Sequence, residues 1–413
     1  MRILFITTGF APYEFSENIV NSKLVIAFLD EGWEVDVITR HDEGDTYAKE
    51  WGHPWESLKP HVTEVGYPVK TGISFFPDII RGLFRFGTVL HGIRWALRAW
   101  PVVTSKLAEN KYDVVITRSP TEIPHLLGLK IHRKYRIPWI ANWNDPAPFN
   151  WPEPYENIKN PVLLYFHKRL AGMVFREASR VTFPSEELRD HFGMNPVIKG
   201  TLTTQVIPHI GLSAKIAPAK AAASDHYIFK ICHAGNLSAE RSPGPFFNAL
   251  KRLGERIGPD GFRLDIIGVC TTEVREMAAE PGINAIRFLG NKNYYSAMEL
   301  LTGYDLLVVV EAPLRTGIFF PSKFVDYLQS GKTVLGVSPA TGFMERVLNR
   351  EHGCGIAADC TDADAIFTGL TELYDEWRSG RTRFLSKVPE SYRSYSPGQV
   401  VAQYKEIFND ICS

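Results

Sequence analysis

Cysteine is scarce in this 413-residue chain: Cys232, Cys270, Cys354, Cys360 and Cys412 are odd in number, widely spaced and free of any CxxC pair. A disulfide framework and a zinc site are therefore unsupported, and a reducing cytoplasm is the expected setting. Neither sign of charge is in excess, with 46 Lys plus Arg against 46 Asp plus Glu. That balance removes the global field expected of a protein that binds nucleic acid or another polyanion. No run of about eighteen uncharged apolar residues occurs, so a transmembrane helix is not expected. The first apolar run, Ile3-Leu4-Phe5-Ile6, is too short for a signal-peptide core and reads as a strand. At the end of that strand Gly9-Phe10-Ala11-Pro12 is not the GxGxxG fingerprint, which argues against a nicotinamide dehydrogenase.

What is present is the composition of a globular protein, 45% hydrophobic and 22% charged, at a length that suggests two or three domains. Arg2 to Thr8 reads as a strand and Gly9 to Phe15 as a loop. Ser16 is a good N-cap for a helix to about Asp30, Gly32 closes it, and Val35 to Thr39 is the next strand. This βαβ pattern predicts a buried parallel sheet with ligands at the C-terminal strand ends, which makes Gly9, Phe10 and Ser16 candidates. Further strands are read at Tyr112 to Thr117, Pro138 to Asn142 and Arg180 to Phe183, with a short last one at Val206 to Pro208. His125, on the helix after the first of these, and Asp145, after the second, are candidates to orient an acceptor hydroxyl and take its proton. Each also has a plain alternative: a core histidine for His125, and a turn residue before proline for Asp145. Ile79 to Lys106 interleaves Phe84, Phe86, Trp95 and Trp100 with Arg81, Arg85, Arg94 and Arg98. It reads as a basic amphipathic helix that either rests on an anionic membrane or covers the sheet.

Ser213 to Asp225 is rich in small residues and lysine and reads as part of a linker over 209–226. The strand order then resumes at Tyr227 to His233, Arg263 to Gly268, Ile286 to Leu289 and Asp305 to Glu311. Gly235, Asn236, Gly268, Leu289 and Gly290 fall at or near these strand ends, and Arg241 offers a planar donor suited to a diphosphate. The central stretch is Phe320-Pro321-Ser322-Lys323-Phe324-Val325-Asp326-Tyr327-Leu328-Gln329-Ser330-Gly331. Ser322 is placed to cap a two-turn helix that Gly331 ends, and Lys323 would then occupy its first position. A cation there opposes the helix dipole, so the lysine reads as part of an anion site, with Asp326 on the same face for sugar hydroxyls. The alternative is a weak exposed ion pair.

FPSKFVDYLQSGKTVL, HAGNLSAERSP, IRFLGNKNYYSAMELLTGYDLLVVV and RIPWIANWNDP together resemble the glycosyltransferase 4 family, retaining nucleotide-sugar transferases of the GT-B fold. RIPWIANWNDP is similar to bacterial surface-polysaccharide members. The resemblance implies an α/β chain with two Rossmann-like domains whose parallel sheets face across a cleft. Its parts would be an acceptor domain over 1–208, a donor domain over 227–388 and a terminal helical segment over 389–413 returning to the first domain. It implies no resident cofactor or metal, with a nucleotide-diphosphate sugar as co-substrate, UDP-linked rather than GDP-linked. The acceptor would be a saccharide or polyprenyl-linked saccharide at the inner face of the membrane. By resemblance, Arg241 and Lys323 would neutralise the leaving diphosphate, and Asp326 would bind the ribose. Leu289 and Gly290 would line the base, with Pro321 and Ser322 on the same element. The chain departs from the pattern in two places. The family's first motif glutamate falls on Ile318, Glu311 lying further upstream than that spacing allows, and Asn236 stands where many members carry arginine. A nucleotide-sugar epimerase on the same fold and a non-catalytic nucleotide-sugar-binding protein are the alternative readings.

Overall fold

The computed structural model describes residues 1–13, 15–42, 53–67, 75–198, 203–214, 227–279 and 285–412. The chain divides into two units: Met1–Trp151 with Tyr155–Pro208 and Pro397–Ser413, and Pro152–Pro154 with His209–Ser396.

The first unit is built on seven strands: β1 (Arg2–Thr7), β2 (Glu34–Asp42), β3 (Val62–Tyr67), β4 (Val114–Arg118), β5 (Trp139–Asn142), β6 (Arg180–Phe183) and β7 (Thr204–Val206). Their order is β3-β2-β1-β4-β5-β6-β7, and every pairing is parallel. The central strands are apolar and β-branched because helices cover both faces of such a sheet, leaving no strand face in water. Ile3, Leu4, Phe5 and Ile6 are wholly buried, as are Val114, Val115 and Ile116. The helix Ser16–Asp30 is not capped by Ser16, which is its first residue; Phe15 holds the cap position without a side-chain bond. Strand β3 was not expected, because Val62-Thr63-Glu64-Val65-Gly66-Tyr67 is half polar and lies at the sheet edge. The last strand lies at Thr204–Val206, two residues before its expected position.

The basic aromatic stretch is two helices, Phe75–Phe86 and Ile93–Glu109, separated at Gly87 and Gly92, both with positive φ. The second helix is a core cover, with Trp95 and Trp100 buried and Arg94 paired to Asp78 at 2.9 Å. The first carries the exposed apolar residues Ile80, Leu83 and Phe84.

The terminal helix Pro397–Ile411 belongs to the first unit. Tyr404 meets Phe28 with ring centroids 5.0 Å apart, Phe408 meets Trp33 at 5.1 Å, and Lys405 pairs with Glu31. Residues 389–396, expected with this segment, lie in the second unit.

The second unit has six parallel strands: β8 (Phe229–Ala234), β9 (Phe262–Ile267), β10 (Ile286–Gly290), β11 (Leu306–Val310), β12 (Thr333–Ser338) and β13 (Gly355–Asp359), in the order β10-β9-β8-β11-β12-β13. Leu306-Leu307-Val308-Val309-Val310 is buried throughout. Strand β13 was not expected, its Gly355-Ile356-Ala357-Ala358-Asp359 having weak strand propensity of its own. Of the expected linker, residues 209–212 are fixed parts of this unit. Ile210 and Leu212 are buried, and Leu212 exchanges two hydrogen bonds with the Gln329 side chain, at 2.8 and 2.7 Å. Residues 215–226 lie outside the described residues.

In each sheet the strand order reverses once, between β1 and β4 and between β8 and β11. The diverging loops leave a crevice beyond the C-terminal strand ends at such a point, where ligands of open α/β sheets bind.

Close packing at β13 is testable. A Cβ on Gly355 would lie 1.9 Å from the Val334 carbonyl oxygen, whereas one on Gly193 would meet nothing within 4 Å. Gly355→Ala is expected to lower stability by about 2 kcal/mol or more. Gly193→Ala should be neutral or stabilising by up to about 1 kcal/mol, both read from urea midpoints.

Candidate functional site

In the second unit the functional side chains gather at the β8/β11 reversal. The helix Ser322–Gln329 turns Phe324, Val325, Tyr327 and Leu328 into the core. The Tyr327 hydroxyl accepts from the Ala234 amide at 2.8 Å and lies 3.3 Å from the Val308 carbonyl. These bonds tie the helix to β8 and β11, the two strands that flank the crevice. Gly331 ends the helix with φ +72°, as its position in the sequence requires. Ser322 does not cap it: Pro321 occupies the cap position without a side-chain bond, and Ser322 and Lys323 are the first and second helical residues.

Tied in this way, the helix lays Lys323 across the end of β8. A Cβ on Gly235 would lie 2.3 Å from Lys323 Nζ, and Gly235 adopts φ +133°, so the position favours glycine twice over. Gly268, at φ +132°, packs on Gly235 in turn: its Cβ would sit 2.5 Å from the Gly235 carbonyl oxygen. The Asn236 side chain accepts from the Val269 amide at 3.2 Å and so joins the loops that follow β8 and β9. Arg241, on the turn Ala239–Arg241, donates to the Val310 carbonyl at 2.6 Å, which aims its guanidinium at the end of β11.

Glu311 follows β11 directly and is buried beside Lys323. Burial and the neighbouring Arg241 push the Lys323 ammonium down to about 7, against the opposing pull of Glu311, Cys232 and Asp326. His233, wholly buried, donates from Nδ1 to the Val308 carbonyl at 2.9 Å. Burial, Lys323 and Arg241 hold its pKa well below the ordinary range, so it stays neutral at physiological pH. The result is a crevice edge that carries the cations Arg241 and, when protonated, Lys323, with the buried carboxylates of Glu311 and Asp326 nearby. That arrangement suits a polyanion with attached hydroxyls.

Motif spacing does not point to Glu311, which lies fifteen residues before Asp326. Its signal is a charged residue directly after five buried apolar ones, at a strand's C-terminal end. Ile318, where the family glutamate was expected, is buried and apolar. Asp326 is also buried, and its carboxylate accepts from the Tyr294 hydroxyl at 2.8 Å. Leu289 and Gly290 end β10, and the Gly290 carbonyl accepts from the Gly268 amide at 2.9 Å.

In the first unit the β1/β4 reversal is organised by Arg118, a residue that no sequence motif singles out. It is buried and donates to Asn21 at 2.5 Å, to Asn144 at 3.1 Å and to the Tyr404 hydroxyl at 3.3 Å. Asn21 donates to Thr7 Oγ1 at 3.0 Å and to the Gly9 carbonyl at 2.8 Å. Asn144 donates to Glu17 at 2.5 Å. Burial raises the carboxyls of Glu17 and Asp145, and the charge of Asp145 raises Glu17 further, against Arg118 and Asn144.

Two acceptor-side expectations, Phe10 and His125, are corrected by the structure, as is the capping role read for Ser16. Phe10 is a core residue, 1% exposed, packed against Phe5. Ser16 is exposed and caps nothing. His125 is wholly buried, bonded to Thr117 Oγ1 at 2.7 Å and stacked near Trp143, and burial followed by Arg118 lowers it to about 3. It is a neutral core histidine, without the access that proton transfer to a substrate needs.

Among the described residues no helix is long and apolar enough to cross a membrane, and no group of three or more His, Cys, Asp or Glu is placed to hold a metal ion.

Residues 19–197 match the model for Glycosyltransferase Family 4. No curated protein matches the chain. Among solved structures, the sucrose-phosphate synthase of Thermosynechococcus elongatus is similar with a TM-score of 0.71 and 13% identity, over 99% of this chain and 98% of that one. An α,α-trehalose-phosphate synthase (UDP-forming) from Burkholderia xenovorans, in complex with glucose-6-phosphate, has a TM-score of 0.62 and 13% identity, over 99% and 100%. The lipopolysaccharide outer core galactosyltransferase WaaB has a TM-score of 0.62 and 14% identity, over 99% of both chains. At such identities the likeness is one of fold, and it spans both parallel sheets. The family model thus matches most of the first unit, and the fold shared along the whole length with these glycosyltransferases is GT-B.

Proposed function

We propose that the chain transfers a sugar from a nucleotide-diphosphate donor, UDP-linked, to a saccharide or polyprenyl-linked saccharide acceptor, with retention of configuration. Bacterial cell-surface polysaccharide synthesis is the process this reading favours, in the cytoplasm at the inner face of the membrane. The observation that carries it is the convergence at the β8/β11 reversal of Lys323, seated against Gly235, with Arg241 and Glu311. A UDP-forming neighbour and a lipopolysaccharide galactosyltransferase neighbour support the choice of donor and process.

In this reading Arg241 and Lys323 hold the diphosphate. Charge grows on that group as the glycosidic bond breaks, and cations already fixed in place stabilise it without reorganising. Gly235 and Gly268 let the backbone approach the phosphates. Glu311 takes the sugar hydroxyls in place of the glutamate missing at Ile318. Asp326, steadied by Tyr294, takes the ribose, with Leu289 and Gly290 beside the base. On the acceptor side, Glu17 and Asp145 orient the incoming hydroxyl.

The assignment is tested with a panel of UDP- and GDP-sugars, with and without saccharide acceptors. Transfer from a UDP-sugar is expected, and Arg241→Ala and Lys323→Ala should each lower kcat on the order of a hundredfold while urea midpoints change little. Near-normal turnover in both variants would sink the roles of these two cations. Interconversion of the donor sugar without acceptor would point to epimerisation instead, and binding without turnover to a non-catalytic protein.

The pH dependence has a definite sign. Lys323 is charged below about pH 7 and loses its proton above it. A diphosphate binds the charged form, so UDP affinity should be full below pH 7 and fall about tenfold per unit above it. Calorimetry in buffers of different ionisation enthalpy should show proton uptake on binding above pH 7. Lys323→Met should remove both effects, and an unchanged profile in that variant would show that another group titrates.

Membrane contact is assigned to the exposed face of the Phe75–Phe86 helix, where Ile80, Leu83 and Phe84 lie beside Arg81 and Arg85. Phe84→Ser with Leu83→Ser should weaken binding to phosphatidylglycerol vesicles about tenfold or more. Equal binding by the variant would remove this face from consideration.

A further inference from the structure

The second unit holds a cavity of about 230 Å³ at the opposite edge of its sheet, where β8, β11 and β12 begin. Its apolar wall is Phe229, Leu306, Trp377 and Phe384, with Phe229 and Trp377 ring centroids 5.0 Å apart. Leu306 and Phe229 are each about 1% exposed, so this wall is part of the unit's core surface rather than a loose rim.

The polar lining is unevenly committed. Glu376, buried, accepts from the Phe384 amide at 2.8 Å and pairs with Arg383 at 3.3 Å. Asp305 accepts from the Lys230 amide at 2.8 Å. Both carboxylates are thus occupied by the protein's own donors. The cations are not. Arg381 uses only Nε, in a bond of 2.9 Å to Ser379 Oγ, which leaves its terminal nitrogens without a hydrogen bond among the described residues. Lys332 is half-buried, and its ammonium donates to none of the described residues, though Asp305 attracts it from a distance. Burial without a partner is costly for an ammonium, and an acceptor-only group is what would relieve it. The hydroxyl-bearing Thr333 and Thr382 also line the cavity. Spare donors on one side and an aromatic wall on the other define an amphipathic acid.

We propose that this cavity binds a small organic anion, a carboxylate or phosphate monoester on a compact apolar or aromatic body, with Lys332 and Arg381 on the acid and Phe229 and Trp377 against the body. A volume of about 230 Å³ suits a ligand with a single ring or a short branched chain. Because Gly235 and Glu311 lie at the other ends of β8 and β11, such a ligand leaves the crevice of Lys323 untouched, and the site stands independently of the activity proposed above.

Phenyl phosphate, phenylacetate and the neutral benzyl alcohol are suitable probes for titration calorimetry with the full chain. At least one of the two acids is expected to bind saturably at one site per chain, and the stronger of them identifies the acid group. Benzyl alcohol should bind about tenfold or more weakly, and Arg381→Gln with Lys332→Gln should weaken the acid by about tenfold or more. Arg381→Gln alone changes an exposed side chain, so its partial loss of affinity at an unchanged urea midpoint serves as the folding control. UDP should not displace the bound acid. The proposal is overturned by absence of saturable binding up to the order of 10 mM, by equal affinity for benzyl alcohol, by full affinity in the double variant, or by displacement with UDP.

Discussion

The space that a side chain at residue 235 would fill is taken by the Lys323 ammonium, and much of the second unit's chemistry depends on that exclusion. With a Cβ there, 2.3 Å from Nζ, the lysine would have to leave the end of β8. Its charge would no longer lie beside Arg241 and Glu311. The same tight fit strips water from the ammonium and lowers its pKa to about 7, so the group that best suits an anion is the one most in need of it. An anion set beside it would restore the charge that burial suppresses. The Tyr327 hydroxyl matters for the same reason, since it fixes the helix that carries the lysine to both strands of the crevice.

The first unit solves the matching problem with hydrogen bonds rather than with glycine. Arg118 ends β4 in a buried position and is satisfied by Asn21, Asn144 and Tyr404, from three different elements. An unpaired buried guanidinium would cost several kcal/mol, so these partners hold the strand ends in register with one another. Tyr404 comes from the terminal helix, which ties the last residues of the chain to the first sheet's reversal point. Glu17 and Asp145 sit around this network with raised pKa values because one arginine, already shared, does not offset two carboxylates in a desolvated place.

The two strand-poor stretches show how packing overrides local pattern. Ile79 to Lys106 has the composition of one amphipathic helix. The positive-φ glycines 87 and 92 divide it, and the tryptophans that suggested a membrane face turn into the core. What remains outside is a shorter apolar face at Ile80, Leu83 and Phe84. His209 to Leu212, polar and apolar by turns, reads as linker, yet Gln329 and the core hold it firmly.

Local sequence determined much of this protein. Continuous apolar runs such as Ile3 to Ile6 and Leu306 to Val310 demanded strands buried on both faces. The alternation with helices demanded parallel sheets, and Gly331 set the end of the central helix. The positions of Gly235, Gly268 and Gly290 at strand ends were legible for the same reason, because turn chemistry is carried by one or two adjacent residues. What only the tertiary structure decided is which side chains meet. His125 and Phe10 carried plausible chemistry but are buried in the first core. Glu311, set aside on motif spacing, and Arg118, unremarked at its strand end, came into view once β8 and β11, or β1 and β4, were set side by side. Parallel strands adjacent in space are separated by tens of residues in the chain, so the contacts that shift a pKa or complete a site have no local signature. They exist only after the sheet has formed.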